Sequence, residues 1–274
     1  MFDRALTIAP NDPAIICVKA ETYLAQGDID TAWGMVSKLH ISPADNGGGL
    51  LMDLLSKRGQ LDEMMAQGLA VAREEQHLPP PLRALVLAGA ANLYLAKGDR
   101  ASALPYLERA ERDRKELRQN GAISLQLHGF YIEMESLLGN RAEVEQEIQE
   151  LFAKTRMDKW EFPNSETAAG IGYVQLGDFD HAIPLIQDAL TQPSAQSLTT
   201  ADLRLSPHWD PIRGDPRFQK IVESLKPKEP PRPPDEPAQF LCRAEAAQCL
   251  QGRGRLRSGR VAAHSSRDTG LPVF

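Results

Sequence analysis

One hexapeptide recurs three times along the chain: YLAQGD at 23–28, YLAKGD at 94–99 and YVQLGD at 173–178. Recurrence over such distances marks a structural unit used repeatedly, and it restricts the fold before any single residue is weighed. With the glycine as marker, the copies centre on Gly27, Gly98 and Gly177. Two looser copies fill the gaps, LSKRGQ around Gly59 and SLLGNR around Gly139. Successive markers lie about 32–41 residues apart, enough for one helical hairpin and a connection of variable length.

The chemistry at each marker predicts a turn between two helices. Glycine ends helices in the left-handed conformation because it has no Cβ to clash. The residue after it is Asp28, Gln60, Asp99, Asn140 or Asp178, and all but Gln60 are good caps for the helix that follows. Asn140 with Glu143 also has capping-box spacing. Five residues after each glycine stand Ala32, Met64, Ala103, Val144 and Ala182. Seven before stand Ala20, Met52, Ala91, Ile132 and Gly170, and four before stand Tyr23, Leu55, Tyr94, Glu135 and Tyr173. Small residues admit close helix approach, and tyrosine fills the space beside them. In PLRALVLAGAANLYLAKG, a helical period places Leu82, Leu85, Ala88 and Leu93 on a broad apolar face.

This pattern of small residue, Tyr, Gly-Asp and Ala resembles the tetratricopeptide repeat. It is strongest in Ala20/Tyr23/Gly27/Ala32, Ala91/Tyr94/Gly98/Ala103/Ala110 and Gly170/Tyr173/Gly177/Ala182/Ala189, with Pro10, Pro43 and Pro193 near unit ends. The second and fourth units depart from it. The resemblance covers roughly residues 1–195 and implies an all-α protein, a right-handed α-solenoid of about five helix–turn–helix hairpins with a short C-terminal capping helix. The array is expected over 11–195. Residues 1–10 read as the second helix of a truncated repeat, leaving Phe2, Ala5 and Leu6 unopposed. An upstream continuation is therefore expected, with Met1 an internal start or a fragment boundary.

Residues 196–226 are expected to close the stack. Asp210-Pro211 and Asp215-Pro216 are turn and helix-start signals. Residues 216–225 form a short amphipathic pattern with Phe218, Ile221, Val222 and Leu225 inward, and Trp209 is expected to plug the end of the stack. The stretch LRLSPHWDPIRGDPRF resembles the C-terminal segment of bacterial multidomain regulators in which such repeats follow a Ser/Thr kinase domain, or a winged helix with a TolB-like region. Residues 227–274 are rich in Pro and Arg and read as a mostly disordered tail, with a weak helical tendency over 238–250 and a composition that also fits a shifted reading frame.

Composition excludes several functions. The net charge is −6, with about −9 on residues 1–226 and about +3 on the remainder, so the body lacks the cations that nucleic-acid phosphates require. Cys17, Cys242 and Cys249 are odd in number and lack ligand spacing, which points to a reducing compartment, taken as cytoplasmic, and no disulfide framework. No window approaches the roughly 18 apolar residues of a membrane span, and MFDRALTIAPND is unlike a signal peptide. The six histidines, His40, His77, His128, His181, His208 and His264, form no i,i+3 or i,i+4 pair, so neither metal nor other cofactor is expected. The Gly-Asp carboxylates belong to separate turns. Ser165, His181 and Asp178 have no triad spacing, and no phosphate loop, HRD or DFG is present. The Arg253–Arg260 run reads as solvated charge. The chain is therefore expected not to be an enzyme.

What remains is a surface. In the resembled family, first-helix residues thirteen, ten, six, three and two before the glycine line the concave groove. The six-before positions here are Glu21, Asp53, Asn92, Glu133 and Ile171, and the three-before positions are Leu24, Ser56, Leu95, Ser136 and Val174. Acids and aliphatics at these places imply a protein or peptide partner, extended or helical, that is basic or apolar. The expected function is a non-catalytic interaction scaffold, the sensory or docking part of a larger bacterial regulator. The alternative is the C-terminal regulatory fragment of a Ser/Thr kinase or another signalling enzyme whose catalytic domain lies upstream.

Overall fold

The computed structural model describes residues 2–43, 45, 47–192, 194 and 198–225, and every regular element among them is helical. These residues belong to one unit, Met1–Lys226, separate from Pro227–Phe274. The expectations for the tail, for Cys242, Cys249 and His264, and for Pro193 fall outside the described residues. A short α1 (Phe2–Ile8) precedes five helix pairs. The pairs are α2 (Pro13–Ala25) with α3 (Ile29–Val36), α4 (Gly48–Lys57) with α5 (Leu61–Arg73), and α6 (Pro80–Ala96) with α7 (Arg100–Gln119). They continue with α8 (Leu125–Leu138) and α9 (Arg141–Thr155), then α10 (Phe162–Gln175) and α11 (Phe179–Thr191). The chain closes with α12 (Thr200–Leu205), a 3-10 turn (Pro207–Ile212) and α13 (Pro216–Ser224).

The hexapeptide is the connection inside each pair. Gly27, Gly59, Gly98, Gly139 and Gly177 have φ between 69° and 84°, the left-handed region. At each turn the residue after glycine donates its N–H to the carbonyl five residues back, of Tyr23, Leu55, Tyr94, Glu135 or Tyr173, at 2.8–3.0 Å. The glycine donates to the carbonyl three back, also at 2.8–3.0 Å. These two bonds make the Schellman motif, whose six-residue ring begins at the first letter of the phrase and ends at its last. Asp28, Asp99 and Asp178 then cap the following helix, accepting from the N–H of Thr31, Ser102 and His181. Asn140 does not: its amide turns back to donate to Glu135 Oε2 at 2.7 Å, and α9 starts without a side-chain cap.

Burial follows the spacing where helices touch most closely. Ala20, Ala32, Ala91, Ala103, Ile132, Val144 and Ala182 are fully buried, while Tyr23, Tyr94 and Tyr173 pack at the margins of the cores. On α6 the buried stripe runs Ala84, Leu87, Ala88, Ala91 and Leu95, and Leu82, Leu85 and Leu93 are only half-buried. That helix packs against α5, α7 and α8 at once, so its most buried line lies between the faces a single stripe would mark. Successive first helices also pack on one another, α2 on α4, α6 on α8 and α8 on α10.

The joint between the second and third pairs differs. α4 makes no substantial contact with α6, and the joint rests on α5 against α6. One apolar core fills the first two pairs around Leu51, Leu54 and Leu55, and another fills the third and fourth around Leu87, Leu127 and Tyr131. A small cluster of Leu69, Ala72 and Ala90 lies between them. In the closing segment, Trp209 and Ile212 of the 3-10 turn, with Phe218 and Ile221 of α13, bury against Val174, Ile183 and Ile186. Asp215 caps α13, with Pro216 as its first residue. Asp210-Pro211 lies within the 3-10 turn and starts no helix. In α1 no residue is fully buried; Phe2, Ala5 and Leu6 are half-buried, and the helix packs on α2.

Candidate functional site

The face formed by the first helices carries a segment of the chain itself. Leaving α11, residues 199–212 return across this face, with the 3-10 turn packed on α10 and α12 packed on α2. The segment folds locally because Thr199 and Asp202 make a reciprocal capping box at the start of α12. Arg213 then ties its far end, donating to the carbonyls of Leu203 at 2.8 Å and Ser206 at 2.9 Å.

Three polar contacts fix the segment to the face. Lys57, near the end of α4, places Nζ 2.7 Å from Asp202 Oδ1 and also pairs with Asp53. Its side chain is only 3% exposed. Burial alone would lower its pKa, but Asp53 and Asp202 outweigh that and hold the ammonium above the ordinary lysine value. Glu133 of α8 accepts from His208 Nε2 at 3.2 Å and from Asn92 Nδ2 of α6 at 3.0 Å. Burial would raise the Glu133 carboxyl, yet His208 and Asn92 bring it below the usual carboxylate value. His208, whose side chain is 40% exposed, is pulled down by burial and carried above the usual histidine value by Glu133, with Asp53 adding and Lys57 opposing. Gln175 of α10 donates to the His208 carbonyl at 3.2 Å. Beside Leu205 the face opens into a cleft of about 430 Å³ walled by Asp28, Asp30, Lys57 and Arg58 among others.

The structure therefore brings together Asp53, Asn92 and Glu133 from the six-before positions. Glu21 is exposed, and Ile171 packs at the edge of the cluster that holds Trp209. The three-before positions behave differently. Leu24, Leu95, Ser136 and Val174 are buried inside the array, and Ser56 is half-buried. Lys57 and Gln175, both two before their glycines, carry contacts to the segment. The resemblance itself points to that position, which is where the signal for them lies.

A second polar cluster lies between α7, α8 and α9. Glu147, fully buried, takes Arg114 Nη1 at 3.2 Å and the Arg118 guanidinium, and pairs with His128 Nδ1 at 2.6 Å. Lys154 Nζ lies 2.9 Å from His128 Nε2. An ammonium can only donate, so Nε2 accepts and the ring proton sits on Nδ1, facing Glu147. Burial raises the Glu147 carboxyl, but His128, Arg118 and Arg114 together hold it below its usual value. Ligand atoms of His128, Glu147 and Glu150 lie within 4.8 Å of one another, an arrangement that could hold a cation. Arg114, Arg118 and Lys154 already meet that charge, and His128 has both nitrogens engaged, so the cluster serves as an ion-pair core. Elsewhere, His181 Nδ1 and Asp178 pair at a helix start, while Ser165 bonds the Glu161 carbonyl.

No helix among the described residues is long and apolar enough to cross a membrane. Neither a protein-family model, nor a curated protein, nor a solved structure matches the chain.

Proposed function

We propose that the chain is a non-catalytic scaffold, a right-handed solenoid of tetratricopeptide-like hairpins whose first-helix face holds a protein segment, and that it forms the sensory or docking part of a larger bacterial regulator. The observation carrying this reading is that the face already holds a short helical segment, residues 199–212, through side chains of α4, α8 and α10. A surface that seats one helical turn by a buried lysine, a carboxylate and an amide has the chemistry to seat another. Glu21 is left open on the face and Asp53, paired with Lys57, is partly exposed, and these acids favour basic or apolar segments on encounter.

A peptide array probed with the full chain tests this reading. Basic or apolar peptides should be captured, and Glu21→Lys should weaken that capture at least tenfold. Tight binding of acidic, purely extended peptides that ignores both Glu133→Lys and Glu21→Lys would overturn it.

A further inference from the structure

The closing segment is held in two unlike ways. Towards the fifth pair it is built into an apolar core, with Leu203, Trp209 and Ile212 almost wholly buried beside Phe218 and Ile221. Towards the first two pairs its ties are few: Asp202 to Lys57, and Ala201 against the turn at Gly27. A Cβ at Gly27 would stand 3.8 Å from that of Ala201, an ordinary contact and not an interlock. The first two pairs also have their own core, and they join the third pair through α5 and the turn at Glu75–His77 that follows it, with no substantial contact between α4 and α6.

Resting on the reading of this face as a protein-binding surface, we propose that α12 is a displaceable latch, and that the partner segment replaces it by presenting a carboxylate to Lys57. The first two pairs swing from the closing segment about the α5–α6 joint, which parts Lys57 from Asp202 and Ala201 from Gly27. Trp209 stays buried throughout, because the segment travels with the fifth pair. Once Asp202 leaves, Lys57 keeps only Asp53 of its two carboxylate partners, and an incoming carboxylate takes the place that Asp202 held. The partner is thus a short segment bearing an acidic residue in a helical turn, within the otherwise basic or apolar character favoured by the rest of the face. In the closed chain the latch competes at the millimolar effective concentration of a tethered ligand, so the face is poorly available to free segments.

The probe is a fluorescent peptide of residues 198–206, LTTADLRLS, added to the full chain. Asp202→Lys, which breaks the latch without touching the face, should bind it at least tenfold more tightly than the unaltered chain, and Asp202→Asn should do so to a smaller degree with helicity preserved by circular dichroism. In a background with Cys242→Ser and Cys249→Ser, the pair Gly27→Cys and Ala201→Cys meets the Cβ separation a disulfide needs, and the strain of a side chain at the left-handed Gly27 is carried equally by the reduced form. Its oxidised form should exclude the peptide and its reduced form should readmit it. Equal affinity across the unaltered, opened and locked chains overturns the latch. If array peptides then still bind the oxidised and reduced forms alike, the face reading survives and only the latch falls; if none binds either form, both fall. A concentration-dependent dimer of the unaltered chain, abolished by the lock, would instead make a second copy the occupant and overturn a foreign partner.

Discussion

Gly172 lies against Ile132 so closely that a Cβ on it would stand 2.5 Å from Ile132 Cγ2 and 3.4 Å from Val144 Cγ1. This is where α10 meets α8, so the stacking of the fourth and fifth pairs depends on a missing methyl group. Gly172→Ala should destabilise by about 1–3 kcal/mol as the helices are forced apart. Gly170, two residues earlier and on the other side of α10, has Ile186 Cγ1 at 3.5 Å from the same construction, which is ordinary contact. Gly170→Ala should therefore be neutral, or stabilising by up to about 1 kcal/mol through helix propensity. Urea midpoints of the two variants decide it, and similar losses in both would refute the distinction.

The contrast between those glycines shows what was legible in the sequence. The turns were: YLAQGD and its copies encode the Schellman ring, a local event fixed by six consecutive residues, and all five glycines take the left-handed conformation. Gly170 was read as the close-approach position because spacing from the turn marks it, yet the tightest contact falls at Gly172. Which methyl clashes depends on the exact rotation of a neighbouring helix, and that is set by packing across pairs. The α6 stripe slipped for the same reason, since three helices share that face. Of the candidate positions, Asp53, Asn92 and Glu133 lie about the residues that hold the 199–212 segment. Leu24, Leu95, Ser136 and Val174 are buried, Val174 beneath Trp209 and Ile212 of that segment. The occupation of the face by residues 199–212 was invisible, because Lys57–Asp202 and Glu133–His208 join residues far apart in sequence.

The caps allow a graded comparison. Asp99 accepts from the Ser102 N–H at 3.0 Å, and the Ser102 side chain, with this N–H second, holds its carboxyl below the usual value. Asp99→Ala should cost about 1 kcal/mol, the usual loss of an N-cap. Gln60 occupies the equivalent place with no cap bond, so Gln60→Ala should stay within about 0.5 kcal/mol. Thermal unfolding of the two single variants measures the gap, and equal shifts would show that capping is not what separates them.

Glu147 is a demanding polar position. It is fully buried and meets Arg114, Arg118 and His128 Nδ1, although Arg114 also pairs with Glu111, Glu135 and Glu143 and Arg118 also with Glu150. Glu147→Ala would leave the buried His128 Nδ1–H without its acceptor and remove one of the carboxylates around Arg114, and should cost about 1–3 kcal/mol. Glu147→Gln, which keeps the shape and a hydrogen-bond acceptor, should cost less. Denaturant unfolding gives the numbers; a loss below about 1 kcal/mol for the alanine variant would mean that the cations find other partners or water.

The His208–Glu133 pair predicts how the closing segment responds to pH. His208 titrates above the ordinary histidine value of 6.5 when folded, so its contribution is complete below about pH 6.5 and disappears as pH rises through the folded value. Glu133 titrates below the ordinary glutamate value of 4.5, so its contribution is complete above about pH 4.5 and disappears as pH falls through its folded value. Both are present in full only between those limits. The groups facing His208 are Glu133 of α8 with Asp53 and Lys57 of α4, and the lysine, charged throughout this range, opposes the other two. Because the imidazole is partly open to solvent, the effect should be under about 1 kcal/mol. The unaltered chain should therefore lose stability relative to His208→Gln as pH rises from about 6.5 through the folded value, and Glu133→Gln should flatten that difference. Parallel urea midpoints for the unaltered chain and His208→Gln across the same range would show that the imidazole carries no charge-dependent hold on the segment.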